Sequence, residues 1–509
     1  MKGTFTLAII SICIFASVLA AQNQEGVPRN ISPQQPAPPS QNPTVHPSPH
    51  EMPGMEMPGM EMPNQRHMPV EEKSQPPMPE AELLNEVSQR PPMQLKDFED
   101  LSMTNNPTLK QASDLVRRSA AQARQAGLYP NPSVGYEGSE IRGGSFGGGE
   151  EGAFIQQTIV LGGKLGLRRR VFEQQQHEDE AGTVEQRFRL LSDVDQSFYS
   201  ALAAQEIVKL RQQLLKITLD ARETAHQLAN AGQADAPDVL QAEVEADQAK
   251  VDYVTAQMNY IQLFNTLAAT VGKPQLPVSP LEGALTNWPE INSQQIIETI
   301  LRDSPSVKRA QEAVTRAEAQ LRSARREAIP DLQLRAGIQQ DNEPLNEAAT
   351  PLRPVGVVSF ASVAVNLPIF NRNQGNVAAA GSELQRAREE VTRVQLSLRR
   401  TAEPLLRTYL AEEVQANEYK SVMIPKAMRA YQMYLSNYGQ MAAAYPQVII
   451  AQRTWFQLRA SYVETLEHLW RDAIALQNFT MTDGLQGPMS SGSFSTTMNP
   501  PSGAGGPPE

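Results

Sequence analysis

The chain has a single cysteine in 509 residues, an aromatic content of only 6%, and no sustained run of Lys and Arg to offset a formal charge of −11. Each scarcity removes a class of protein. Without a basic face to displace counterions from phosphates, a nucleic-acid partner is excluded. With one thiol, Cys13, there is no disulfide framework and no cysteine-based metal site, so stability must come from packing or assembly. The central region also lacks a Ser/His/Asp set, a phosphate-cradling glycine loop and a spaced Cys/His cluster, so no enzyme chemistry and no bound cofactor are expected. The glycines of RGGSFGGGEEG from Arg142 have no Walker lysine after them and read as a loop between strands.

Long apolar runs are also missing, except at the start. MKGTFTLAIISICIFASVLAAQ has one lysine, an apolar stretch of export-signal length and small residues suited to cleavage after Ala20. Cys13 lies inside that stretch behind the bulky Ile12, an arrangement unsuited to lipidation. Nothing later approaches the length of a membrane-spanning helix. The expected organisation is a signal peptide at 1–20, a disordered Pro/Met-rich arm at 21–92, two repeats at 93–285 and 286–480, and a disordered tail at 481–509.

What is present is an internal duplication. NNPTLKQASDLVRRSAAQARQAGLYPNPSVGYEG from Asn105 has a counterpart, DSPSVKRAQEAVTRAEAQLRSARREAIPDLQLRAG, from Asp303. Pro107 matches Pro305 and Pro130 matches Pro330, and the segment around Gly232 matches that around Gly439. Each half opens on a capping residue and proline, Asn106 with Pro107 and Ser304 with Pro305. A helix follows and stops near the second proline.

Two strand-like runs come next, with apolar and polar residues alternating. Val134 and Tyr136 mark one run, and Ile155, Ile159 and Leu161 the next. In the second half Leu332, Leu334, Ala336 and Ile338 form one apolar row, and Ala361, Val363, Val365, Leu367 and Ile369 another. Then Lys164 to Asn230 runs without proline, roughly 100 Å as one helix at 1.5 Å per residue. Its apolar positions step by three and four, and the turn at Gly232 sends the chain back as a coiled-coil hairpin. The second half repeats this from Gly375 through Gly439 to Phe479, with Pro404 and Pro425 expected to bend the outgoing helix.

Strands apolar on one face and polar on the other fit a transmembrane β-barrel, but four strands cannot close one, so several copies are required. The order of helix, strand pair and long hairpin, given twice, resembles the TolC-type outer-membrane efflux proteins. The matching motifs are AGLYPNPSVGYE at 126, IVLGGKLGLRRR at 159, LPIFNRNQGNVAAA at 367 and AGQADAPDVLQAE at 231. The LGGK and FNRNQG turns are most similar to the heavy-metal branch, the outer-membrane components of cobalt-zinc-cadmium and copper-silver resistance systems.

The resemblance implies a mainly α fold with transmembrane β-strands: a homotrimeric 12-strand β-barrel continuous with an α-helical barrel. It implies an outer-membrane location with a large periplasmic portion, docking to a periplasmic adaptor (a membrane fusion protein), and an inner-membrane resistance-nodulation-division pump. Two other readings remain open on sequence alone, an outer-membrane channel for drugs or other organic molecules and a cell-surface coiled-coil scaffold.

Under this resemblance the hairpin tips become adaptor or gate residues. The first tip offers Gly232, Asp235 and Asp238, and Asp238 matches an acidic position of the family. The second offers Gly439, Tyr445, Gln447, Val448 and Ile450. Here the chain departs from the drug-export prototype, because Gln447 and Ile450 occupy the two aspartate positions and the partner arginine is absent. Packing around Tyr445, Val448 and Ile449 is the expected substitute for ion pairs. For Asp235 and Asp238, turn and helix-start chemistry is an equal alternative.

One stretch is left over, HEMPGMEMPGMEMPNQRHMP from His50. Thioether sulfur is a soft ligand that selects Cu(I) or Ag(I), and imidazole assists. The expected ligands are His46, His50, Met52, Met55, Met57, Met60, Met62, His67 and Met68, with a plain spacer as the alternative. A peptide of residues 46–78 titrated with Cu(I) under reducing conditions is expected to bind far more tightly than millimolar, and millimolar affinity would leave only the spacer.

Overall fold

The structure is a computed structural model that describes residues 89–139, 149–232, 235–344, 354–440 and 445–488. The export signal and nearly all of the arm, including every His and Met named above, lie outside the described residues. Two parallel repeats of elements follow. The first comprises α1 (Leu95–Asn105), α2 (Pro107–Ala126), β2 (Ser133–Ser139), β3 (Glu150–Ile159), α3 (Lys164–Asn230) and α4 (Ala236–Thr270). The second comprises α5 (Ile296–Asp303), α6 (Pro305–Arg326), β5 (Leu332–Pro344), β6 (Pro354–Val365), α7 (Gln374–Glu418), α8 (Ile424–Gly439) and α9 (Tyr445–Gln477). A two-residue strand before α1, β1 (Met93–Gln94), pairs in parallel with β4 (Leu281–Glu282) in the link between repeats.

The caps explain how each repeat starts. Asn106 precedes Pro107, accepts the Thr108 amide at 2.9 Å, and donates through Nδ2 to the Thr270 carbonyl at the end of α4. One buried side chain therefore starts α2 and stops α4. Ser304 stands in the same place before Pro305 but makes no side-chain cap; its hydroxyl meets that of Ser306 at 2.9 Å.

Helix α3 is the spine, packing against α2, α4, α6 and α9. Around its middle Phe98 of α1 meets Phe198 of α3 and Phe264 of α4 at centroid distances of 5.8 and 6.0 Å, a fully buried aromatic triad. Tyr199 stacks on Trp470 of α9 at 3.7 Å, and the indole N–H is satisfied by the Leu285 carbonyl. No helix among the described residues is long and apolar enough to cross a membrane.

The four longer strands form one antiparallel sheet in the order β2-β3-β5-β6. Its register sets Val134, Ile155, Ala336 and Ala361 in one row, and Tyr136, Ala153, Ile338 and Ser359 in the next, so the apolar residues share a face. That face is bare: Val134, Tyr136, Ile155, Ile338, Val357 and Val363 are all well exposed. The other face carries Ser133, Gln156, Arg335 and Ser362 in one row. There the Arg335 guanidinium pairs with Glu137 and lies 4.2 Å from the Phe154 ring centre and 5.4 Å from that of Phe360.

Three expectations are corrected. The last strand ends at Val365, so Leu367 and Ile369 lie beyond it; Pro368 cannot donate to a ladder. Pro404 lies within one continuous α7, and at Pro425 the outgoing helix is broken outright, with a π-helical turn at Tyr419–Met423 preceding α8. The tail also begins later than residue 481. Gly484 donates to Asp193 Oδ2 at 2.6 Å, while its carbonyl accepts from Gln186 Nε2 at 2.6 Å and Thr108 Oγ1 at 3.1 Å. Only glycine fits this position, since a Cβ would stand 2.6 Å from Leu190 Cα.

The two faces of the sheet should respond differently to charge. Ile338→Arg on the apolar face is expected to cost about 2–4 kcal/mol if placed in lipid and to deplete the urea-resistant membrane fraction. Gln339→Arg, on the opposite face beside Glu150, is expected to leave that fraction unchanged.

Candidate functional site: the strand-to-helix turns and the hairpin tips

Where the sheet hands over to the long helices, both repeats solve one backbone problem. The residue before α3 is Gly163, with φ 69° and ψ 20°, and the residue before α7 is Asn373, with φ 63° and ψ 20°. Both are left-handed, the conformation that glycine adopts freely and asparagine tolerates. This is the physical content of the LGGK and FNRNQG motifs. In the first turn Lys164 is buried and its ammonium meets Asp331 at 2.7 Å, while Asp331 also accepts the Leu161 amide at 3.1 Å. Asp331 comes from the second repeat. Arg168 adds a two-pronged pair to Glu327, each contact 3.0 Å. In the second turn Asn373 donates to the Ala324 carbonyl at 2.8 Å.

At the other end of the helices, Gly232 has φ +73° just after α3. Asp235 precedes α4 without capping it through its side chain; its carbonyl accepts from the Asp238 amide at 3.0 Å. Asp238 lies in the first turn of α4, where the helix dipole favours a negative charge. On the second hairpin Gly439 ends α8 and Tyr445 opens α9, its ring 5.4 Å from that of Tyr438. Burial, reinforced by Tyr438 and by the charges of Glu245 and Asp238, pushes the Tyr445 phenol up to about 12. Burial and the Asp238 charge also raise Tyr438. The fold therefore brings Asp238 of the first tip to the tyrosines of the second.

Val448 and Ile449 are buried, but Val448 packs with Tyr431 and Ala451, inside its own hairpin. Tyr431 in turn stacks on Trp455 at 5.5 Å. Gln447 and Ile450 are exposed and, with Ala427, Ala430, Tyr434 and Ala451, line a shallow groove of about 310 Å³ that borders the cluster. The hairpins are tied together by the pair of Arg453 with Glu245 and by Arg459 donating to Gln213 at 3.0 Å.

Sequence reasoning missed these ties, and it missed two carboxyl clusters. Glu99 and Asp195 face each other, and burial, then the Glu99 charge, raises Asp195 to about 7. Glu412 and Asp472 form the second. The available signal was an acid at an apolar seam position, as at Glu412 between Tyr409 and Ala416. Among the described residues no set of His, Cys, Asp and Glu is placed to hold a metal ion.

A sheet with an exposed apolar face and two unpaired edges, continuous with hairpins of such length, defines the wall of a membrane conduit. Residues 100–273 match the family described as Outer membrane efflux protein. The chain is 25% identical over 385 residues to the cobalt-zinc-cadmium resistance protein CzcC of Cupriavidus metallidurans, covering 76% of this chain and 89% of that one. It is 22% identical over 314 residues to the nickel-cobalt-cadmium resistance protein NccC of Alcaligenes xylosoxydans xylosoxydans, covering 61% and 68% respectively. Its fold matches the crystal structure of CusC with a TM-score of 0.63 at 18% identity, over 76% of this chain and 92% of that one. These similarities, together with the fold, set the chain beside the TolC-type outer-membrane efflux proteins of heavy-metal resistance. It is a non-enzymatic channel component of the outer membrane.

The second tip yields a local test. Val448→Ala removes buried carbon and is expected to lower the opening free energy of the α8–α9 tip by about 2 kcal/mol in native-state hydrogen exchange. Gln447→Ala, exposed on the other side, is expected to change it by no more than about 0.5 kcal/mol.

Proposed function

We propose that this chain is the outer-membrane conduit of a tripartite exporter of heavy-metal ions. Three copies complete the barrel, a periplasmic adaptor docks on the hairpin tips, and a resistance-nodulation-division pump drives the flow from the inner membrane. The observation that carries the proposal is the four-stranded sheet, apolar on one exposed face and unpaired at β2 and β6. No such sheet persists alone in hydrocarbon, since each unpaired backbone group there costs several kcal/mol. Identical copies supply matching edges.

The cargo is argued from two sides. The two relatives carry cobalt, zinc, cadmium and nickel in their names. The arm of this chain carries thioethers and imidazoles, which fit Cu(I) and Ag(I). The conduit itself makes no bond to the ion; the arm would raise its local concentration beside the adaptor. The tips, with Asp235, Asp238, Tyr445, Gln447, Val448 and Ile450, would meet the adaptor and close the entrance by packing instead of the ion-pair ring of the drug-export prototype.

Deleting the chain in its native host is expected to lower the tolerated metal concentration severalfold. Loss for copper and silver alone supports the soft-ion reading, and loss for cobalt, zinc and cadmium assigns the divalent one. Unchanged tolerance to all five, with lost tolerance to organic toxicants, would overturn metal export.

A further inference from the structure

The seam between α7 and α9 has an apolar core. Leu406, Tyr409 and Ala416 of α7 share a buried cluster with Leu466, Leu469 and Ala473 of α9. Glu412 stands on the α7 side of that seam and Asp472 on the α9 side. Asp472 is only 5% exposed, and Glu412 Oε2 and Asp472 Oδ2 are both buried with no hydrogen-bond partner among the described residues. Two such acceptors cannot satisfy each other unless one of them carries a proton.

The surrounding charges do not remove the difficulty. His468 Nδ1 lies 3.5 Å from Glu412 Oε1, and Arg471 Nε lies 4.0 Å from Asp472 Oδ1 with its side chain half exposed. On the flank of α9 facing α3, Glu467 is already engaged by the Ser200 hydroxyl at 2.7 Å. Seven residues beyond Glu412 the helix changes pitch in the π-turn of Tyr419–Met423, followed by Pro425. A π-turn ahead of proline is a point where a helix bends. The cluster thus sits on the proximal side of a hinge, and α8 lies on the distal side.

We propose that a proton held on the buried carboxyls of Glu412 and Asp472 clamps α7 to α9, and that its loss loosens the seam and frees α8 to swing about the π-turn. Burial, then the Asp472 charge, raises Glu412 to about 7 against the pull of Arg471. Burial likewise raises Asp472, opposed by Arg471 and His468. The packed state therefore binds the proton more tightly than the loosened one. Its advantage is complete below the ordinary carboxylate range and is lost as pH rises through about 7. The second hairpin is a proton-sensitive arm that tightens in acid.

Hydrogen exchange of the full-length protein in detergent, corrected for intrinsic rates, tests this at about pH 6 and pH 8. Wild-type amides of Ile424–Gly439 are expected to lose protection toward pH 8, by up to about tenfold per pH unit. Glu412→Gln and Asp472→Asn are each expected to keep the acid level of protection at pH 8, so one serves if the other fails to fold. Glu403→Gln, an exposed acid of α7 paired with Arg399, is expected to behave as wild type. Equal wild-type protection at both pH values, or wild-type pH dependence in both variants, would overturn the proposal. The readout needs neither cargo nor partner, so it stands or fails separately from metal export.

Discussion

Unpaired backbone groups cannot be left in hydrocarbon. The sheet of this chain ends in two bare edges, β2 and β6, and turns an apolar face outward. In water that face would aggregate and those edges would recruit other strands. The sheet is tethered to long helices that bury their own seams, and both of its edges stay open among the described residues.

The two repeats cooperate where the sheet becomes helix. A left-handed residue ahead of each long helix redirects the chain, Gly163 in one repeat and Asn373 in the other. In the first repeat the junction is locked by Lys164, whose buried charge is balanced by Asp331 from the second. A buried ammonium without that carboxylate would be costly, so the pair joins the repeats at the level where the wall changes from strand to helix. Burial of Phe98, Phe198 and Phe264 does the equivalent work lower down, binding α1 and α4 to the spine.

The repeat, the strand alternation and the long hairpins were legible in the sequence because each depends on local periodicity. Pro107 and Pro305 both open their helices as expected, although only Asn106 of the two flanking residues caps through its side chain. Side chains that act at long range were not legible. Nothing near Gly484 announces its place against Leu190, and nothing near Arg335 announces Glu137 and two phenylalanine rings, because those partners are distant in sequence. Pro368 also overrode an alternation that ran on past Val365. At the tips, Val448 and Gln447 are adjacent yet one is buried and the other exposed, a difference set by how α8 and α9 pack.

The segment around Gly484 carries one more implication. Its partners, Thr108, Gln186 and Asp193, belong to the first repeat, while Gly484 is among the last of the described residues to be made. Gln186 and Asp193 of α3 therefore gain these partners only from the far end of the chain, while Thr108 also bonds Asn106. The first repeat thus completes its polar pairing with residues that lie beyond the second, so the fold closes end to start.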